Sequence, residues 1–124
     1  MFENDFMRLE MIEGIVHGTY TKTPVTLEMA KEVVKNRLAF TDHKDTPIVI
    51  SDTGVKKIDR DARQYLSSDE GVKGISAAAL IIKGSFSAHL INFFMRIAAF
   101  KPKMPARTFT SEEEAVKWLK QYIK

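Results

Sequence analysis

Two groups of side chains in this chain are of types that could do chemistry, and they lie close together in the sequence. Ser51 and Thr53, with Asp52 between them, follow the apolar run Pro47-Ile48-Val49-Ile50. That places them at the carboxyl end of a strand, where open α/β sheets hold ligands. Asp59, Arg60 and Asp61 come next, after a turn containing Gly54 and at the start of a helix. Arg60 and Asp61 are neither nucleophiles nor phosphate-cradling glycines, so what they offer is charge pairing with a partner. Each group also has a plainer reading. Hydroxyls at such turns often bond the turn backbone, and Asp59 fits a helix N-cap. No catalytic constellation is visible. His17 falls in a strand, His43 in a loop and His89 on a helix, without metal-ligand spacing. The chain has no cysteine, which removes thiol catalysis, thiolate metal sites and disulfides. Gly71 and Gly74 form a lone Gly-x-x-Gly loop with no phosphate-binding pattern. These residues point to a non-enzymatic protein with no cofactor and no metal.

The elements that must position these residues can be traced along the chain. Asp5 to Lys22 reads as two strands around Glu13-Gly14, with Leu9, Met11, Ile15 and Tyr20 as the apolar half of an alternation. Thr26 caps a helix running to about Phe40, striped by Leu27, Ala30, Val33, Val34 and Leu38. Ile48 to Ile50 has the short apolar character of a strand covered on both faces. Beyond the Asp59 helix and a loop at 67–71, Gly74 to Lys83 reads as an interior strand. Its Ala77-Ala78-Ala79 run predicts close approach by a helix. A helix then runs from Ser85 to about Phe100, and Ala106 to Phe109 forms a short strand. Thr110 caps the last helix, with Glu113 completing a capping box and Ala115, Trp118, Leu119 and Tyr122 on its buried face. The order β-β-α-β-α-β-α-β-α implies an α/β fold: a leading hairpin, a mixed sheet with a parallel portion, and flanking helices.

Composition narrows the function classes. With 124 residues, 44% hydrophobic and 28% charged, the chain fits one domain with one core, neither disordered nor membrane-spanning. The net charge of +3 is mild and scattered. Its densest group, Lys101, Lys103 and Arg107, follows an apolar helix whose terminal carbonyls favour cations, so nucleic acid is not the expected partner. Met1 to Asp5 lacks the pattern of a signal peptide, and a cytoplasmic location is expected.

The 86–100 helix is the unusual element. Phe86, Leu90, Phe93, Phe94 and Ile97 make one broad face that should cover the sheet. Ile91, Met95, Ala98 and Ala99 make a second apolar face, and His89, Asn92 and Arg96 leave only a narrow polar stripe. The second face needs a cover. A second copy of the chain, a neighbouring segment of the same chain, and an apolar or lipid-like ligand are the three candidates. At about fifteen residues the helix is too short to span a bilayer, which leaves peripheral lipid contact open.

The segment Ser51-Asp52-Thr53-Gly54-Val55, followed by Lys56-Lys57-Ile58-Asp59 and Arg60-Asp61-Ala62-Arg63, resembles STAS domains of the SpoIIAA-like fold. More narrowly, the chain resembles small bacterial STAS/SEC14-like proteins. The shared residues are Asp61-Ala62-Arg63, Asn92-Phe93-Phe94, Pro105 through Thr110, and Glu114-Ala115 with Trp118-Leu119. The resemblance implies a bacterial signalling module that docks a partner protein through the Ser51 to Asp61 edge. In STAS antagonists a serine after the position of Asp59 is phosphorylated; here Arg60 and Asp61 stand at those positions. The expected function is therefore a homodimeric protein-binding module without that switch. The alternative is a carrier or sensor of a small apolar or lipid-like ligand beside the 86–100 helix. In the first case Ser51, Asp52, Thr53, Asp59, Arg60 and Asp61 meet the partner. In the second, or at a dimer interface, His89, Ile91, Asn92, Met95 and Arg96 are in contact.

Overall fold

A computed structural model describes residues 1–5, 7–20, 24–52, 58–82, 88–100 and 104–123. Six strands pair in the order in which they occur in the chain, β1 to β6. They are β1 Phe2–Glu3, β2 Met7–Ile12, β3 Ile15–Tyr20, β4 Thr46–Asp52, β5 Ile75–Ile81 and β6 Ala106–Phe109. β1, β2 and β3 are antiparallel neighbours, and β3 to β6 run parallel. The helices are α1 Leu27–Phe40, α2 Arg60–Leu66, α3 Ala88–Phe100 and α4 Glu112–Leu119. The mixed α/β sheet and the element order agree with expectation, with one addition: the two-residue β1, too short to carry an alternation signal.

The hairpin is set by its turn. Ile12 and Ile15 pair across a two-residue loop, Glu13-Gly14, and both loop residues have positive φ, 51° and 84°. That is the turn geometry whose twist matches the flanking strands. Gly14 adopts it freely, whereas Glu13 carries a Cβ into a disfavoured region.

Alternation along the strands divides the core into two layers. Leu9, Val16, Ile48, Ala78 and Leu80 face a layer closed by Val33 of α1 and by Phe94 and Ile97 of α3. Ile15, Val49, Ala77, Ala79 and Ile81 face the other way, under Ala115 and Leu119 of α4. β4 and β5 are thus covered on both faces, as their unbroken apolar character requires. α2 packs on α1 rather than on the sheet, through Val25, Ala30, Ile58 and Ala62. Between Thr46 and Ile48 the β4–β5 register slips by one residue. The slip lets Ile75, three residues before Ala78, join the same layer.

Two caps differ from expectation. α4 is capped by Ser111, not Thr110, and the Ser111 hydroxyl accepts from the Glu114 amide. β6 holds the chain extended through Phe109, so the helix begins one residue later and the pair moves on by one. Asp59 occupies the N-cap position of α2, but its side chain makes no capping bond. Its backbone does the tethering instead: the Asp59 amide donates to Val25 O at 2.9 Å, beside a parallel bridge between Val25 and Ile58.

The strain at Glu13 gives a direct test. Glu13→Asn, which tolerates positive φ, is expected to raise the unfolding free energy by roughly 0.5–1 kcal/mol. Urea denaturation of the two proteins measures it, and an unchanged midpoint would show that Glu13 carries no strain.

Candidate functional site

Between α1, α3 and the sheet lies a cavity of about 120 Å³. Its floor is Ile48 and Ile50 of β4 with Ala78 and Leu80 of β5. Val33 and Val34 of α1 form one wall, and Phe94 and Ile97 of α3, with Met104, form another. Val25 and Ile58, the bridged residues that follow β3 and β4, also line it. The site is therefore apolar and reaches the carboxyl ends of the parallel strands, the end at which such sheets hold ligands.

Two polar side chains reach this apolar space. Tyr20, the last residue of β3, lines it, and so does Arg37 of α1. Arg37 is 4% exposed, and its guanidinium donates to two backbone carbonyls of the α2–β5 loop, Lys73 O at 2.8 Å and Gly71 O at 3.2 Å. A Cβ at Gly71 would collide with the carbonyl of Tyr65, so only glycine lets the loop fold this tightly against the arginine. Burial pulls the Arg37 guanidinium below the usual arginine range, opposed by the nearby Tyr20 and Tyr65 hydroxyls. Burial raises the Tyr20 hydroxyl, and Arg37 partly offsets this. Tyr20 thus remains a neutral phenol and Arg37 a poorly solvated cation.

The residues singled out from sequence do not form one site. Ser51 borders the cavity at the end of β4, although alternation with Ile50 turns its side chain toward the α4 face. Asp59 is half-buried, and Arg60 and Asp61 are exposed on the first turn of α2. Thr53 and the side chains of Asp52 and His89 lie outside the described residues. On α3, Ile91 is half-buried and Asn92, Met95 and Arg96 are exposed, with Met95 at 49%. These residues point away from the cavity, which is met by the opposite face through Phe94 and Ile97. His17 is also elsewhere: its Nδ1 lies 3.3 Å from Glu112 Oε1, on the α4 side. Among the described residues no cluster of His, Asp or Glu could hold a metal ion, and no helix is long and apolar enough to cross a membrane.

Arg37 was legible and is absent from the sequence reading. Ala30, Val33, Val34 and Leu38 define the apolar stripe of α1, and position 37 falls within it at helical spacing. An arginine in the middle of a buried stripe is the signal.

No curated protein and no solved structure matches the chain. One family model does, over residues 7–123, and it is neither a STAS nor a SpoIIAA-like family. The resemblance to STAS/SEC14-like proteins is corrected accordingly, and the inherited phosphorylation position at Arg60 and Asp61 falls with it. The reason lies in the residues that carried it. An apolar strand, a glycine turn and an acidic residue at a helix start serve any strand–turn–helix unit, so their spacing marks a fold class and not a family. With nearly its whole length matched, the chain belongs to the family described as Domain of unknown function (DUF7793).

Proposed function

We propose that this protein binds a small apolar or amphiphilic molecule in the cavity between α1, α3 and the sheet, as a carrier or sensor rather than as an enzyme. The observation that carries this reading is the cavity itself. A pocket of about 120 Å³ that is partly open to solvent and lined almost wholly by apolar side chains leaves apolar surface poorly covered. An apolar occupant removes that surface from water, and an apolar cavity of about this size is known to take up a benzene-sized guest.

The alanine at the floor supplies the test. Ala78→Leu extends a side chain into the void and is expected to raise stability by about 1 kcal/mol while excluding the guest. Native mass spectrometry of protein taken from cells should show a small bound mass on the wild type and none on the variant. A wild type that carries no bound mass and takes up no apolar probe, such as hexanol, ends this reading.

A second reading rests on different residues. Arg60 and Asp61 are exposed at the start of α2, beyond the packing of the fold, and their charges suit a protein partner. In a pull-down, Arg60→Glu and Asp61→Arg should each lose that partner with the fold intact, and its retention by both removes the site. The outward face of α3, with Met95 and Ala99 exposed beside Ile91, favours a second copy of the chain as its cover. Sedimentation should then give a dimer that Met95→Glu splits, and a wild-type monomer at high concentration argues against it.

A further inference from the structure

We infer that the molecule held in the cavity is a short-chain carboxylic acid, its carboxylate on the Arg37 guanidinium and its hydrocarbon chain on the apolar walls. This inference rests on the reading of the cavity as a ligand site. Arg37 lines that cavity and is buried, yet among the described residues no carboxylate pairs with it. The titratable groups acting on it are the Tyr20 and Tyr65 hydroxyls, whereas Arg8–Glu10 and His17–Glu112 are ion pairs elsewhere in the fold. Among the described residues its guanidinium donates to two carbonyl oxygens, Lys73 O and Gly71 O, which satisfy two of its five N–H donors and none of its charge.

A buried cation without a counter-charge is costly, and an anion that enters with it removes that cost. Burial already weakens the charged form of Arg37, which reports the same deficit. Guanidinium matches carboxylate in shape and donor spacing, and such bonds are about twice as strong as neutral ones. Tyr20 lines the same cavity and keeps its hydroxyl proton, so it repels no anion. The lining beyond these two side chains is almost entirely aliphatic and aromatic, which fits a hydrocarbon tail and no second polar group. A volume of about 120 Å³ holds a chain of a few carbons.

The test compares hexanoate with hexanol, two probes of nearly equal length that differ in charge. Calorimetric titration of the intact protein at neutral pH should give hexanoate roughly tenfold or more tighter than hexanol. Arg37→Met, which fills the same space without charge, should bring hexanoate down to the affinity of hexanol and leave hexanol within about threefold. Equal affinities in the wild type, or hexanol the tighter, would overturn this inference and leave the cavity as a site for neutral molecules. Binding of neither probe would overturn it together with the reading it rests on. The wild-type comparison stands by itself if Arg37→Met does not fold.

Discussion

β5 must be covered on both faces, and the two covers do not fit it equally. Ala77 and Ala79 present almost no side chain to α4, whose Ala115 and Leu119 close directly on them. On the other side Ala78 is just as short, but the helices opposite are held off by the larger residues around it, Val33, Phe94 and Ile97. A run of three alanines therefore gives a tight layer and a loose one. The cavity is the space left on the loose side, and the arrangement of α1 and α3 follows from bridging it.

The loose layer is kept from collapsing by its edges. The Val25–Ile58 bridge and the Asp59 amide bond to Val25 O hold together the two segments that follow β3 and β4. At the far side Arg37 pins the α2–β5 loop through Lys73 O and Gly71 O. Neither tether fills the void, since one is backbone and the other a flat guanidinium. A buried arginine is an expensive way to hold a loop compared with an apolar residue of similar size. That expense gives the residue a meaning beyond packing.

Much of the fold was legible because period and turn chemistry are local. The apolar residues on either side of Glu13-Gly14 located the hairpin and its turn, although they do not share one face: Ile15 turns to the layer opposite Leu9, and Met11 is exposed. Thr26 as a cap, with the stripe through Ala30, Val33, Val34 and Leu38, located α1, and the hydroxyl of Thr26 does accept from the Met29 amide. The site was less legible. Ser51 and the α2 start drew attention because the carboxyl ends of parallel strands hold ligands, and that region does border the cavity. Of the side chains that shape the interior, Phe94 and Ala78 looked like ordinary members of helix and strand faces, and only Arg37, out of place in the apolar stripe of α1, carried a signal. The alanine run was read as close helix approach, which holds on the α4 face alone.

The sequence by itself determined the helices and the strands other than the two-residue β1, that the sheet is mixed, and that no thiol chemistry is available. Each of these follows from neighbours a few residues apart. Only the tertiary structure decided that Arg37 and Tyr20, on separate elements, share one apolar space, and that Ala78 faces a gap while Ala77 and Ala79 do not. Periodicity tells which side chains turn inward, but not how far away the opposing layer stands. That distance depends on the summed bulk of residues distant in sequence, and it is what makes a cavity.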